Sequence, residues 1–369
     1  MAEPLKNQFG REIPERIGSM IARVFPAFRK AAFVADALDG YDALDLMPRG
    51  RKIAQALRRH LPADPGEAIG LLVESLGPRT DESEGQGMAP FLYLPHSFFV
   101  AEFGLDHFED SMRAQYEITQ RFTAEFSIRP FLERHPEATL SRLRQWAADP
   151  SPHVRRLVSE GTRPRLPWAP RLRMFQVDPA PVLALLELLK DDPDLYVRRS
   201  VANNLNDIGK DHPALLARTA QDWLQDASAE RAWVVGHALR SAVKRAEPGA
   251  LDVLGFGKAP EVSVGKARIA PKRARIGGAV SIAFDLMSTA KKQQRVLVDF
   301  RIHYVKANGK TRLKVFKLKT VDLAPGETLS LAKTISLAEM TTRRHYAGRH
   351  SVDVVLNGET RPLGAFIVE

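Results

Sequence analysis

The chain has 369 residues, of which 44% are hydrophobic and 27% are charged, so it can bury more than one hydrophobic core and is not a disordered chain. It contains no cysteine, which excludes disulfides, a thiolate nucleophile and cysteine ligands for an iron–sulfur cluster. No apolar run reaches the length of about eighteen residues that a membrane span requires, and the N-terminal segment is polar. We therefore expect a cytoplasmic protein that does not enter the membrane.

The net charge of +10 is distributed unevenly along the chain. Residues 260–369 contain 20 Lys and Arg against 9 Asp and Glu, whereas the rest of the chain contains 34 against 35. Such an excess indicates a polyanionic partner, because Lys and Arg bind phosphates and release their counterions. A soluble domain that is simply basic is the alternative explanation.

Residues 1–257 are predicted to form one helix after another, because apolar residues recur three and four positions apart between breaks at Pro and Gly. The segment 111–126, SMRAQYEITQRFTAEF, is one such amphipathic helix and includes Glu125. Trp146, Trp223 and Trp233 also fall on helical segments, and we expect all three in the core.

A weak internal repeat lies within this helical region. Residues 146–161 and 188–205 align on Asp-Pro followed by Val-Arg-Arg, with Val154 and Val197 separated by 43 residues. A more diverged third copy covers 223–243. This spacing is typical of HEAT-like helical pairs, which bury their apolar faces only by stacking, so we predict a helical-repeat solenoid with a concave surface.

From residue 262 to residue 369 the pattern changes to alternating apolar and polar residues. Seven short alternating runs are present, and the pairs Asn308-Gly309 and Asn357-Gly358 stand between runs, as in β-hairpins. The prediction is a small all-β immunoglobulin-like sandwich. The chain as a whole is therefore predicted to be mostly α, with a repeat domain at 1–257 and the sandwich at 262–369.

The most unusual stretch lies between the aligned repeats, at 151–173. It contains six arginines and a single acid, Glu160. Arg156 and Glu160 are four residues apart and would share one face of a short helix that ends at Gly161. Trp168, set between prolines, would be held rigidly outward. A buried ion pair and a packing tryptophan are the alternative, but four prolines and six arginines suit a phosphate-binding surface better.

The run SPHVRRLVSEGTRPRLPWAPRL, followed by YVRRSVANNLNDIGKDHP, resembles the AlkC branch of the HEAT-like DNA alkylation-repair glycosylases. The resemblance covers about residues 1–255, and the trailing immunoglobulin-like domain resembles a subgroup of that branch. It implies hydrolysis of the N-glycosidic bond of N3-methyladenine and N3-methylcytosine in double-stranded DNA, without flipping of the damaged base. It also implies a monomer without a cofactor. The residues that it identifies as catalytic are Glu125, Glu160, Asp207 and Trp168. Arginines predicted to contact DNA are Arg155, Arg156, Arg163, Arg165, Arg198 and Arg199.

These residue types suit that chemistry on physical grounds. An N3-alkylated base is cationic, and positive charge passes to the deoxyribose as the glycosidic bond breaks. Carboxylates near the sugar stabilise that charge, and an aromatic face can contact the cationic base or the sugar.

Other chemistries have little support in the sequence. The ten histidines show no HExxH motif, no phosphate-binding loop is present, and lysines near the motif are scarce, so we expect neither a metal site nor a Schiff-base lyase. A non-catalytic HEAT-repeat DNA-binding or scaffold protein is the main alternative. A solenoid that binds proteins would leave the basic sandwich unexplained. The preference between methyladenine and methylcytosine stays open.

Overall fold

The computed structural model describes residues 5–80, 88–339 and 344–369, and along these residues fifteen α-helices are followed by eight β-strands. The prediction of a mostly helical chain that ends in an immunoglobulin-like sandwich is confirmed. The helices are α1 Glu12–Val24, α2 Lys30–Leu38, α3 Leu46–His60, α4 Pro65–Ser75, α5 Leu94–Phe103, α6 Phe108–Thr119, α7 Ile128–Arg134, α8 Pro136–Trp146, α9 Pro152–Gly161, α10 Arg173–Val177, α11 Ala180–Leu189, α12 Leu195–Ile208, α13 Pro213–Leu224, α14 Ala229–Lys244 and α15 Pro248–Val253.

Proline starts many of these helices. It stands in the first turn of α4, α5, α8, α9, α11, α13 and α15, where its missing N–H costs nothing and its fixed φ favours the helix. Aspartate side chains cap two starts: Asp64 accepts from the Glu67 amide and Asp194 from the Tyr196 amide, both at 2.8 Å. Among the described residues, no helix has the length and hydrophobicity needed to cross a bilayer.

The described chain divides into two compact units. One consists of Glu3–Asp211 with Asp226–Ala238, and the other of His212–Gln225 with Leu239–Glu369. In the first unit, α9 packs on both α11 and α12, and Val154 and Val197, at matching repeat positions, are fully buried. The aliphatic positions of the repeat therefore form the core, as HEAT-like stacking requires.

The sandwich consists of two sheets. Strands β1, β3 and β6 form a three-stranded sheet in the order β1-β3-β6, and the other five form a sheet in the order β2-β8-β7-β4-β5. Asn308-Gly309 joins β4 to β5 and Asn357-Gly358 joins β7 to β8, so both hairpin predictions are confirmed. The two-residue strand β2 is too short to have been found from alternation. The strands are β1 Val262–Ala270, β2 Arg273–Ala274, β3 Ala279–Ser288, β4 Gln294–Val305, β5 Thr311–Leu323, β6 Thr328–Ser336, β7 Gly348–Leu356 and β8 Glu359–Val368.

The last helix packs on the sandwich within the second unit. Leu251 and Phe256, both buried, form a cluster with Leu297 of β4. The Asn357 side chain bonds the Leu297 amide at 2.8 Å and the Lys258 carbonyl at 3.0 Å, so the connection after α15 is held to the sheet. The predicted boundary between 257 and 262 therefore passes through a packed region, and whether it separates two independent domains stays a prediction.

We expect Phe256→Ala to lower the free energy of unfolding by about 3 kcal/mol, because it leaves a cavity between α15 and β4. Met287→Ala, on an exposed side chain of β3, is the control and should cost less than about 1 kcal/mol. Urea unfolding followed by circular dichroism measures both. Equal small losses would mean that α15 contributes nothing to the stability of the sandwich.

Candidate functional site

The first arginine of each Val-Arg-Arg motif holds the loop before its own helix. Arg155 donates to the backbone carbonyls six and five residues earlier, at 2.8 and 2.9 Å, and Arg198 does the same at 2.6 and 2.9 Å. Arg155 also donates two hydrogen bonds to Asp192, at 2.6 and 3.1 Å, and so joins one repeat to the next. These contacts give both arginines a structural role that the sequence did not indicate.

The second arginine, Arg156, points to two carboxylates instead. Its guanidinium lies 2.8 Å from Glu125 and 3.6 Å from Glu160, which confirms that Arg156 and Glu160 share one face of α9. It also lies over the Tyr196 ring, 5.1 Å from the centroid, as a cation–π contact. Arg156 therefore brings together side chains from the turn before α7, from α9 and from α12.

Arg163 continues the chain of charges. It lies 2.6 Å from Glu160 and 2.9 Å from Asp207, and Lys210 lies 2.7 Å from the other oxygen of Asp207. The Ser200 hydroxyl donates to the second oxygen of Glu160 at 2.6 Å. Three carboxylates and three cations thus alternate in what we call the ion-pair network: Glu125, Arg156, Glu160, Arg163, Asp207 and Lys210.

Burial opposes the charged forms in this network, but the neighbouring charges outweigh it. The carboxylates of Glu125 and Glu160 raise the pKa of Arg156 despite its burial. Burial raises the pKa of Glu160, whereas Arg156, Arg163 and the Ser200 hydrogen bond lower it by more, so its pKa lies below the usual value. The pKa of Arg163 is raised in the same way by Glu160 and Asp207. Arg156, Glu160 and Arg163 therefore stay charged at neutral pH.

Glu125 does not lie on a helix, contrary to the expectation for 111–126. Helix α6 ends at Thr119, and Glu125 occupies the turn before α7. Beyond the helix end, the Arg121 side chain donates to the Glu117 carbonyl at 2.7 Å, and the Thr123 hydroxyl accepts a hydrogen bond from the Glu125 amide at 3.2 Å. Leaving the helix brings the carboxylate to Arg156.

The carboxylates differ in accessibility. Asp207 is 1% exposed and Glu160 is 6% exposed, whereas Glu125 is partly exposed. Asp207 stands near the end of α12, as expected from the following Gly209. Glu125 is therefore the carboxylate of the network that is most open to solvent, whereas Glu160 and Asp207 are both buried.

Trp168 lies on the loop of residues 162–172 that follows α9. Its side chain is 62% exposed and its φ is +64°, a conformation that costs a non-glycine residue about 1 kcal/mol. The indole lines a cavity of about 130 Å³ with Pro130 and Glu133, and a shallower groove with Met47 and Pro48. The outward orientation predicted from the prolines is confirmed. The contacts of the ion-pair network join three of the four residues predicted to be catalytic, and the loop that carries Trp168 begins with Thr162 and Arg163, of which Arg163 belongs to that network.

The expectation for Trp233 was wrong. Trp146 and Trp223 are buried, but Trp233 is 39% exposed and stacks on His237 with ring centroids 4.9 Å apart. Trp233 is the fifth residue of α14, as Arg156 is of α9 and Arg199 is of α12. Its position in the repeat, on the face that carries the network arginine in α9, explains why it does not enter the core.

The remaining arginines fall into two groups. Arg165 is bonded to Asp211 at 2.9 and 2.5 Å, and Arg199 is half-buried. Arg171 and Arg173 are exposed on either side of buried Leu172. The sequence contained these two in its arginine-rich stretch, but only their exposure in the structure distinguishes them from the paired ones.

The sandwich carries a basic cleft of its own, with a volume of about 400 Å³. Four cationic and two tyrosine side chains line it, and no carboxylate is among its described lining residues. The cleft includes the Asn308-Gly309 hairpin arms, where much of the positive charge of residues 260–369 is concentrated. These lining residues are Lys306, Arg312, Lys314, Arg344, Tyr304 and Tyr346.

Comparison with known proteins agrees with this architecture. A family described as the C-terminal Ig-like domain of the uncharacterised protein YhaZ matches residues 263–369. Uncharacterized protein YhaZ of Bacillus subtilis (strain 168) is 35% identical over 358 residues, which cover 97% of each chain. The structure of Pseudomonas fluorescens alkylpurine DNA glycosylase AlkC bound to DNA containing an abasic site analog is 37% identical, with a TM-score of 0.91 and full coverage of both chains. The chain therefore belongs to the AlkC-like family, which has the DNA glycosylase fold. Its residues 263–369 form an immunoglobulin-like domain of the YhaZ C-terminal family.

Proposed function

We propose that this protein is a DNA glycosylase that hydrolyses the N-glycosidic bond of cationic N3-alkylated bases, 3-methyladenine and 3-methylcytosine, in double-stranded DNA. It would initiate base excision repair without flipping the base. The observation that carries the proposal is the ion-pair network, which gathers Glu125, Glu160 and Asp207 in a chain that is 37% identical over its full length to an alkylpurine DNA glycosylase. We also propose that the protein is cytoplasmic, because it would act there on DNA.

The reaction needs little from the protein beyond electrostatics. As the bond between C1′ and the base nitrogen breaks, the base takes the electron pair and leaves as a neutral molecule. The sugar becomes an oxocarbenium-like cation, to which water adds through its oxygen, and one proton is released. Carboxylates close to C1′ stabilise that cation and orient the water. Glu125 and Glu160, the more accessible carboxylates, are best suited to contact the sugar, and Asp207 contributes through its field.

The arginines best suited to bind phosphates are those that the described residues do not hold through a carboxylate or a backbone carbonyl. Arg155, Arg165 and Arg198 would have to give up ion pairs or carbonyl contacts in order to bind DNA. Exposed Arg171, within the Trp168 loop, and exposed Arg173, directly after it, would not have to give up any ion pair shown among the described residues. We infer that these two contact the phosphates near the lesion, and that Arg156 and Arg163 act mainly by holding the carboxylates.

A second candidate function is a non-catalytic HEAT-repeat protein that binds or scaffolds at alkylated duplex DNA. The observation in its favour is that each carboxylate of the network already has a cationic partner, as in a purely structural network. The two functions differ in one measurable property, the release of a free base.

Base release should be selective for cationic lesions, because an enzyme that depends on the charge of the leaving base offers little help to a neutral one. We expect the protein to release 3-methyladenine and 3-methylcytosine from duplex DNA and to leave uracil and hypoxanthine in place. Chromatography of the released bases measures this. Tight binding without any release would favour the non-catalytic protein, and comparable release of uracil would contradict the mechanism.

The carboxylates should affect the rate more than the affinity. Glu160→Gln or Asp207→Asn keeps the shape but removes the stabilising charge, and should slow single-turnover base release about a hundredfold, equivalent to about 3 kcal/mol. Affinity for DNA should be retained, because a charge that repels phosphates is lost. Asp211→Asn, which breaks the pair with Arg165 outside the network, is the matched control. If both variants keep the full rate at temperatures where they are folded, the site is wrongly assigned.

The basic cleft should contribute affinity through its charge. Each phosphate that it neutralises steepens the fall of log affinity with log salt concentration by about 0.9. Glutamine at all four cationic positions of the cleft should therefore weaken DNA binding and flatten that slope, while release at saturating protein changes much less. An equal loss of charge elsewhere on the sandwich is the control, and identical slopes for the two variants would show that the cleft does not bind DNA. Exposed lysines suitable for the control are Lys272, Lys291, Lys292 and Lys333.

A further inference from the structure

Arg129, on α7, is a buried arginine that no part of the proposed chemistry uses. Its side chain donates to the carbonyls of Gly161 at 3.1 Å, Arg163 at 2.9 Å and Pro170 at 2.6 Å. Burial lowers the pKa of Arg129 to about 10, which leaves the guanidinium charged at neutral pH. A buried cation whose bonds all go to backbone carbonyls of one segment holds that segment in place.

The segment is the Trp168 loop with its two ends. Gly161 and Arg163 lie where the loop leaves α9, and Pro170 lies where it returns, so Arg129 ties the two ends together. The side chains of Arg163 and Arg165 anchor the first part of the loop, but its three prolines lack N–H donors, so the backbone after them makes few hydrogen bonds. Within it, the Leu172 amide bonds the Pro164 carbonyl at 3.2 Å and the Ala169 amide bonds the Leu166 carbonyl at 3.4 Å.

Helix α7 is well placed for this role because it approaches α9 closely. A Cβ on Gly161 would come within 2.5 Å of the Ile128 side chain, so only glycine permits the contact. Ile128 is fully buried and precedes Arg129 in the chain. The position of the Arg129 backbone relative to the end of α9 is therefore fixed by packing, and the guanidinium transfers that position to the loop.

We propose that Arg129 is a positioning residue that fixes the loop carrying Trp168 relative to Arg163 of the ion-pair network. The same guanidinium bonds the peptide of Arg163, the network residue that bridges Glu160 and Asp207. The aromatic face of Trp168 and the carboxylates of the network would then contact the same nucleotide. This role of Arg129 rests on the proposed function. Lysine cannot replace Arg129, because an ammonium group lacks the planar fork that reaches three carbonyls at once.

The test follows Trp168 directly by time-resolved fluorescence anisotropy. It uses the full-length protein with Trp233→Phe, so that Trp168 is the one strongly exposed indole among the three that remain. Arg129→Lys should increase the amplitude of fast local rotation about twofold. With methylated duplex DNA, single-turnover release at saturating protein should fall roughly tenfold or more, because small displacements of positioned groups are costly, while DNA affinity changes much less.

Rescue separates positioning from general destabilisation. In Arg129→Ala, free guanidinium at roughly ten to fifty millimolar, well below denaturing concentrations, should restore both the anisotropy and the rate. Arg58→Ala, which loses bonds to two carbonyls at 2.8 and 3.3 Å at the end of α3, is the control and should change neither.

Unchanged Trp168 anisotropy in Arg129→Lys would overturn the proposal, as would losses that guanidinium does not restore and that follow only the unfolding midpoint. The anisotropy and its rescue need no substrate. If the unaltered protein released no base, the proposed function would fail, and the anisotropy would still decide the role of Arg129.

Discussion

The bridge that Arg163 makes between Glu160 and Asp207 is the interaction on which the candidate site depends. All three side chains are buried, so each charge would be very costly without its partner. Removing one member of such a buried set typically costs about 3–5 kcal/mol, because it leaves an uncompensated charge in the interior. Helix α9, helix α12 and the start of the Trp168 loop are therefore joined by ion pairs in addition to apolar packing.

The repeat explains how similar residues acquired different roles. The fourth helical position, Arg155 or Arg198, binds the carbonyls of its own loop and maintains the repeat. The fifth position lies on another face of the helix, about 100° away. There α9 carries Arg156 of the ion-pair network, whereas α14 carries exposed Trp233. The site thus occupies one variable face of a structural unit whose other faces are constrained by packing.

The sequence was sufficient for the features that depend on local pattern. Periodicity predicted the helices and the sandwich, the Asn-Gly pairs predicted both hairpins, and the four-residue spacing of Arg156 and Glu160 predicted their shared face. It was insufficient where a long-range contact decides. The helix predicted for 111–126 ends at Thr119, and beyond its end Arg121 donates to the Gly77 carbonyl, 44 positions earlier in the chain. The internal partners of Arg155 and Arg165 depend on residues 37 and 46 positions away.

The alternation of charges also resolves an apparent conflict between binding DNA and stabilising a cation. Three unpaired carboxylates would repel the phosphates of any approaching duplex. Because each is paired with a cation a few ångströms away, their fields cancel at distances approaching the screening length of about 8–10 Å, where phosphates first arrive. At contact distance the cancellation fails, because Coulomb energy grows as the distance between two charges shrinks. A sugar that touches a carboxylate oxygen is closer to that oxygen than to the guanidinium paired with it. A neutral network of this kind can admit a polyanion and still favour a positive charge that develops against Glu125 and Glu160.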